Sequence, residues 1–348
     1  MDFELSDDQL ALRDAARSLL DDLAGPDRVR RVVDAGGGTD GDLWKAMVAQ
    51  GWMGVEVPEE TGGLGLGTVA TAVLLEEVGR HVAPAPFLSS LLALGALLAG
   101  AKAGVTEAER WVEPLLAGEA VGTVAWSADA PVLYGPSADV VVVMGGDGLR
   151  AVAQPEGRRP KREPAMDLTR ELGWLDPAAV TGPDAFDLGG EEAVAALADR
   201  GATGHSAEML GGAGRVLDMT VQYAKDRVQF GRPIGSFQAV KHRCADMLVD
   251  VEGMRSCVYY AAWCIGAGHP DASVAASTAK VWCSDAARRV MASGLQVHGG
   301  IGFTWEHDLH LYLKRSQLDQ VSWGDASAHR QRLSALLRPR VESGDSVV

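Results

Sequence analysis

The chain has 348 residues, 47% of them hydrophobic and 23% charged, with a mean hydropathy of +0.01. That is enough for about two ordinary apolar cores, which excludes a disulfide-dependent miniprotein, a disordered chain and a membrane-spanning one. Against 47 acidic residues stand 32 basic ones, a formal charge of −15, so long-range repulsion argues against nucleic acid and anionic membrane surfaces as partners.

Four cysteines, Cys244, Cys257, Cys264 and Cys283, cluster in helix-like sequence without C-x-x-C spacing. They read as buried thiols of a reducing compartment and not as a metal site. The opening Met1-Asp2-Phe3-Glu4 lacks a basic start and apolar run, and the longest apolar stretch, residues 91–99, is too short to cross a bilayer. A cytoplasmic location is therefore expected.

Ser6 followed by Gln9 is a capping box, and Leu10, Ala16, Leu19, Leu20 and Leu23 recur at helical spacing behind it, so a first helix is expected there. A Gly/Asp-rich break at residues 36–41 precedes a short helical run with Leu43 and Trp44. The segment Glu59-Glu60-Thr61-Gly62-Gly63-Leu64-Gly65 reads as a loop, and residues 68–78 as another helix. Pro84 and Pro86 mark the next connection, and residues 88–98 are apolar all round, the pattern of a helix buried on most sides.

After Gly118 the pattern changes. Val140–Met144 is β-branched, Gly145-Gly146-Asp147-Gly148 is turn chemistry, and Leu149–Ala153 can return as a strand, which together predict a hairpin. A basic group, Arg158, Arg159, Lys161 and Arg162, follows, with a further short strand expected at residues 178–180. The basic group reads as a solvated loop, with a CoA phosphate as the alternative partner.

From about Glu191 onward the sequence is helical. Val240, Cys244, Met247, Val251, Met254, Val258, Ala261 and Ile265 alternate steps of four and three, the rhythm of a helix packed nearly parallel to its neighbours. Residues 207–224 and 274–295 read as partner helices and 327–337 as a shorter fourth. The expected organisation is a helical domain over residues 1–120, a reduced β domain over 121–188 and a four-helix bundle over 189–348, an α+β chain that is mostly α.

Two stretches are too particular for packing alone. The first is Tyr223-Ala-Lys-Asp-Arg227-Val-Gln-Phe230-Gly231-Arg232-Pro233-Ile234-Gly235-Ser236-Phe237-Gln238. An arginine at a bundle corner beside Phe230, Phe237 and Gln238 suits a nucleotide diphosphate, because guanidinium pairs with phosphate oxygens while apolar groups shield the contact. A helix C-terminal cap is the plain alternative. The second is Gln296-Val297-His298-Gly299-Gly300-Ile301-Gly302-Phe303, where glycines let a backbone approach a ligand closely.

With these two stretches, and with Leu5-Ser6-Asp7-Asp8-Gln9, Gly51-Trp52-Met53-Gly54 and Val57-Pro58-Glu59-Glu60-Thr61-Gly62-Gly63-Leu64-Gly65, the sequence resembles the acyl-CoA dehydrogenase family over nearly its whole length. The resemblance implies the three-part fold above and a tetramer with FAD at a subunit interface. It also implies an activity in which FAD accepts a hydride from the β-carbon of an acyl-CoA while a glutamate removes the α-proton. Arg227, Phe230, Phe237, Gln238, Gln296, Val297, Gly299 and Gly300 would then meet the adenosine-pyrophosphate end of FAD, and His298, inside the glycine motif, is assigned to packing on the dinucleotide.

Two departures from the family are as informative as the matches. The residue at one family location of the base is Trp323, before Gly324, and at the other it is Gly201; neither accepts a proton, and catalysis needs a carboxylate in reach of the α-carbon. Asp325 and Glu208 remain as displaced candidates. The family's flavin-ring motifs are absent from the stretch Thr123-Val-Ala-Trp126-Ser-Ala-Asp-Ala-Pro131-Val-Leu-Tyr134-Gly135-Pro136-Ser137.

The reading is a non-catalytic subunit of a heteromeric, α2β2-like acyl-CoA dehydrogenase acting on a bulky acyl-CoA such as a steroid side chain. A catalytic partner would supply base and flavin-ring pocket, and electron-transfer flavoprotein would reoxidise the FAD. A homomeric flavoprotein using Asp325, or a FAD-free scaffold, are the alternatives.

Overall fold

The structure, a computed structural model, describes residues 4–176, 182 and 184–344. As the sequence patterns imply, the chain is mostly helical; its described strands form one four-stranded sheet and two short two-stranded pairs. It divides into two compact units: Met1–Asp21 with Ala72–Ala83 and Ala202–Val348, and Asp22–Thr71 with Pro84–Gly201. Among the described residues no helix is long and apolar enough to cross a membrane.

In the unit that holds the sheet, Phe87–Lys102 is buried along most of its length and packs on the helix Thr106–Leu116 and on strand β1, Gly122–Ala125. Being covered on several sides is what makes an all-round apolar helix stable in water. Gly122 permits the close approach: a Cβ there would sit 2.7 Å from Ala93 Cβ, and Ser90 Oγ donates to the Gly122 carbonyl at 3.1 Å.

The expected hairpin is present as β3 (Val140–Met144) and β4 (Leu149–Ala153), paired antiparallel from Val140↔Ala153 to Met144↔Leu149. β1 lies parallel to β3, and β6 (Ala185–Gly189) completes a sheet of order β1-β3-β4-β6. The strand expected at 178–180 lies outside the described residues. Short strands β2 (Val132–Leu133) and β5 (Leu172–Gly173) form a separate pair.

Three of the four residues of the basic group make contacts within the chain, and Lys161 is exposed. Arg158 pairs with Asp184 at 2.7 Å and Arg159 with Asp139. Arg162 donates to the carbonyls of Gly36 and Gly37, both at 2.8 Å.

In the bundle-bearing unit, Asp7–Leu23 starts at the expected capping box: Ser6 N–H donates to Gln9 Oε1 at 3.0 Å and Gln9 N–H to Ser6 Oγ at 3.3 Å. The long helices are Glu191–Asp226, Gln238–Gly266 and Ala272–His298. Met247, Val251, Met254, Val258 and Ala261 are buried as their spacing implies. Two glycines let the helix Gly67–Arg80 cross Glu191–Asp226 backbone to backbone, since a Cβ on Gly211 would lie 1.8 Å from Glu76 O and one on Gly79 2.0 Å from Glu208 O.

The segment expected at 327–337 extends over Ala326–Ser343. It is preceded by an unanticipated helix, Leu309–Val321, whose buried residues include Arg315, Ser316 and Asp319 beside Leu309, Leu311 and Tyr312. A helix that buries polar groups shows no apolar period in its sequence.

Candidate functional site

The helix Glu191–Asp226 ends one residue before Arg227. The chain then makes a two-stranded ribbon, β7 (Val228–Gln229) against β8 (Arg232–Pro233), with Phe230 and Gly231 at its tip. Both tip residues have positive φ, 53° and 78°, the signature of a tight hairpin turn. For phenylalanine that backbone is strained, at a cost of about 1–2 kcal/mol, and its ring is 92% exposed.

Beside it, Phe237 lies 6.2 Å away at 86°, and the Arg232 guanidinium sits 4.1 Å over the Phe237 ring. Ile234 N–H donates to the Arg227 carbonyl at 2.8 Å, fixing the ribbon's base. Arg227 is exposed, and its guanidinium has no partner among the described residues. Gln238 opens the next helix, with its Nε2 3.4 Å from His242 Nε2.

The second stretch closes the helix Ala272–His298. Gly299 has φ 62° and ψ −139°, a region only glycine enters readily. A Cβ at Gly299 or Gly300 would meet nothing within 4 Å, so both present bare backbone outward. Gln296 is exposed and Val297 half-buried. Ile301 and Phe303 are exposed on the tight turn Gly299–Phe303.

The two stretches are joined, because Tyr223, one turn before Arg227, stacks on His298 with ring centroids 4.6 Å apart at 24°. The surface therefore carries an unpaired cation, exposed aromatic faces and side-chain-free backbone. That donor set fits a diphosphate and flat rings, the chemistry of a flavin dinucleotide.

The candidate bases fare differently. Gly201 is buried within Glu191–Asp226. Glu208 is buried, with Arg315 Nη1 at 3.4 Å from its carboxylate. Asp325 is the N-cap of Ala326–Ser343, accepting from Ala328 N–H at 2.8 Å. Trp323 is buried and holds φ 61°, and its carbonyl accepts a hydrogen bond from His329 Nε2 at 2.8 Å.

Sequence reasoning passed over a buried polar group around Lys280, Asp319 and His205. The Lys280 ammonium, fully buried, donates to the carbonyls of Asp319 at 2.7 Å and Gln320 at 3.0 Å, capping the end of Leu309–Val321, where a cation is favoured. Burial pushes its pKa from 10.5 down to about 8, partly opposed by Asp319. His205 Nδ1 lies 2.8 Å from Asp319 Oδ1, both buried. A signal for Lys280 was present: it falls on the same helical face as the buried Ala276, Cys283 and Ala287.

All four cysteines are free thiols, and burial raises the pKa of each. Among the described residues no group of three His, Cys, Asp or Glu could hold a metal.

The family model for the acyl-CoA dehydrogenase N-terminal domain matches residues 6–119, and that for the C-terminal domain residues 189–337. Acyl-CoA dehydrogenase IpdE2 of Mycolicibacterium smegmatis is 37% identical over 336 residues, covering 95% of this chain and 99% of its own.

Among solved structures, a variant of the Tcur3481–Tcur3483 steroid acyl-CoA dehydrogenase superposes with a TM-score of 0.85 at 30% identity, over 96% of this chain and 99% of that one. The ChsE4–ChsE5 complex from Mycobacterium tuberculosis gives 0.85 at 27% identity, over 97% and 99%.

Proposed function

The chain belongs to the acyl-CoA dehydrogenase family, and on that premise we propose that it is the non-catalytic subunit of a two-chain, α2β2-like acyl-CoA dehydrogenase. A partner of the same family supplies the base, the flavin-ring pocket and most of the acyl pocket. This chain lends Arg227, Phe230, Phe237, Gln238, Gln296, Val297, Gly299 and Gly300 to the adenosine-diphosphate end of the FAD. When bound, FAD supplies the hydride acceptor for α,β-desaturation of an acyl-CoA, and electron-transfer flavoprotein takes the electrons onward.

One contrast carries the reading: the cofactor-end surface is built and uncovered, while the family's base location holds a buried tryptophan. Arg227 neutralises phosphate charge, and a guanidinium does so with directed hydrogen bonds that a lysine lacks. Phe230 offers a hydrophobic face that shields that ion pair from water. Glu208 and Asp325 are engaged with Arg315 and a helix N-terminus, so neither is poised to take a proton. The likeness to the Tcur3481–Tcur3483 steroid acyl-CoA dehydrogenase and to the ChsE4–ChsE5 complex supports a bulky, steroid-type acyl group and a heteromeric assembly.

The test is a flavin count. The chain expressed alone should be colourless or poorly soluble; co-expressed with a catalytic homologue, it should give a yellow complex with one FAD per two chains. Arg227→Ala in that complex should lower flavin content without dissociating the subunits. A yellow, active homotetramer of this chain alone would refute the proposal.

A further inference from the structure

His298 lies inside the glycine stretch, yet its ring faces inward. It is buried, stacked on Tyr223 on one side, and 4.6 Å from the His307 ring at 63°. Three chain segments thus meet on one imidazole: the helix end before Arg227, the helix leading into the glycine turn, and the segment before Leu309–Val321. Gly302 closes against it, because a Cβ there would lie 3.1 Å from His298 Cβ. Gly294 brings the supporting helices together, its added Cβ falling 2.7 Å from Val216 Cγ1.

The hydrogen bonds fix the tautomers. His298 Nδ1 lies 2.8 Å from the Gly294 carbonyl, which can only accept, so Nδ1 carries the proton. Its Nε2 is buried with no partner among the described residues. His307 Nδ1 accepts from Leu309 N–H at 3.2 Å and so carries a lone pair. A second proton on His298 would sit on a buried nitrogen without an acceptor among the described residues.

We propose that His298 is a positioning residue that clamps the Arg227-bearing helix end to the Gly299–Phe303 turn and so sets the geometry of the flavin-contact surface. The inference rests on the flavin reading above. The groups facing the ring are Tyr223, His307 and the Gly294 carbonyl, none of them a carboxylate. Burial lowers the His298 pKa below 6.5, the Gly294 bond opposes this, and His307 adds to the lowering. Protonation therefore works against the closed arrangement, and the clamp loosens as pH falls below the ordinary histidine value.

The experiment uses the full-length chain and its two-chain complex, with FAD as the probe. Hydrogen exchange over residues 299–303, corrected for intrinsic rates, is measured for wild type, His298→Ala and His298→Phe near pH 7.5 and pH 5.5, and FAD dissociation from the complex is followed by fluorescence. His298→Ala should speed exchange about tenfold and weaken FAD by a similar factor. Acid should do the same to the wild type but not to His298→Phe, whose ring keeps the stack and cannot titrate.

Unchanged exchange in His298→Ala, or an acid response persisting in His298→Phe, would overturn the clamp. Faster exchange with unaltered FAD affinity would leave the clamp standing and remove the flavin from this surface.

Discussion

Replacing Lys280 by methionine isolates one buried charge. The ammonium is fully buried and donates to the carbonyls of Asp319 and Gln320. The fall of its pKa from 10.5 to about 8 corresponds to about 3 kcal/mol, at 1.36 kcal/mol per pH unit. Because the folded pKa is the lower one, the unfolded chain binds more protons between pH 8 and 10.5. The lysine's contribution to stability therefore rises with pH through that window and is lost as pH falls.

The thiols of Cys257 and Cys283, with pKa values raised by burial, have the opposite slope, but they are common to wild type and variant. Urea unfolding of both proteins at 25 °C, followed by tryptophan fluorescence, gives the difference curve. The wild type should gain about 3 kcal/mol relative to Lys280→Met between pH 8 and 10.5. Parallel curves would mean that the lysine is hydrated and the burial argument wrong.

Further outcomes follow from named contacts. Phe230→Gly should relieve the positive φ at the ribbon tip and raise stability by up to about 1 kcal/mol, while the complex loses flavin more readily; a gain in neither direction would disprove the trade. Gly211→Ala drives a methyl into Glu76 O and should lower stability by about 3 kcal/mol, whereas Gly95→Ala, with open space around it, should be neutral or stabilising by up to about 1 kcal/mol; thermal melts compare the two. Asp325→Ala should cost about 1 kcal/mol for the lost cap with turnover of the complex unchanged. Loss of turnover in the better-capping Asp325→Asn would revive the displaced-base alternative.

What was legible in the sequence was what is local. Ser6 and Gln9 satisfy each other across three residues, β3 and β4 share one turn, and the four-three rhythm of Gln238–Gly266 needs only its own helix to be read. The helix Leu309–Val321 escaped because Arg315 and Asp319 take core positions that periodicity reserves for apolar residues. Their partners, Glu208 and His205, lie more than a hundred residues away.

The same division holds at the site. Arg227, Phe230 and the glycines were visible as a motif, but the ring stack that unites them joins Tyr223, His298 and His307, a contact no linear pattern encodes. The identity of Trp323 was plain from the sequence. Its left-handed backbone, held by His329, was not.

The ribbon tip has a consequence for how the chain must be made. A phenylalanine held in the open on a strained turn is adhesive until another surface covers it, and the hazard grows with every unmatched copy. Under the two-chain reading, synthesis of the two subunits has to be matched in amount and in time. On that reading the exposure of residue 230 becomes a constraint on stoichiometry: a surplus of this chain would be removed by aggregation or proteolysis, and the partner would set how much of it survives.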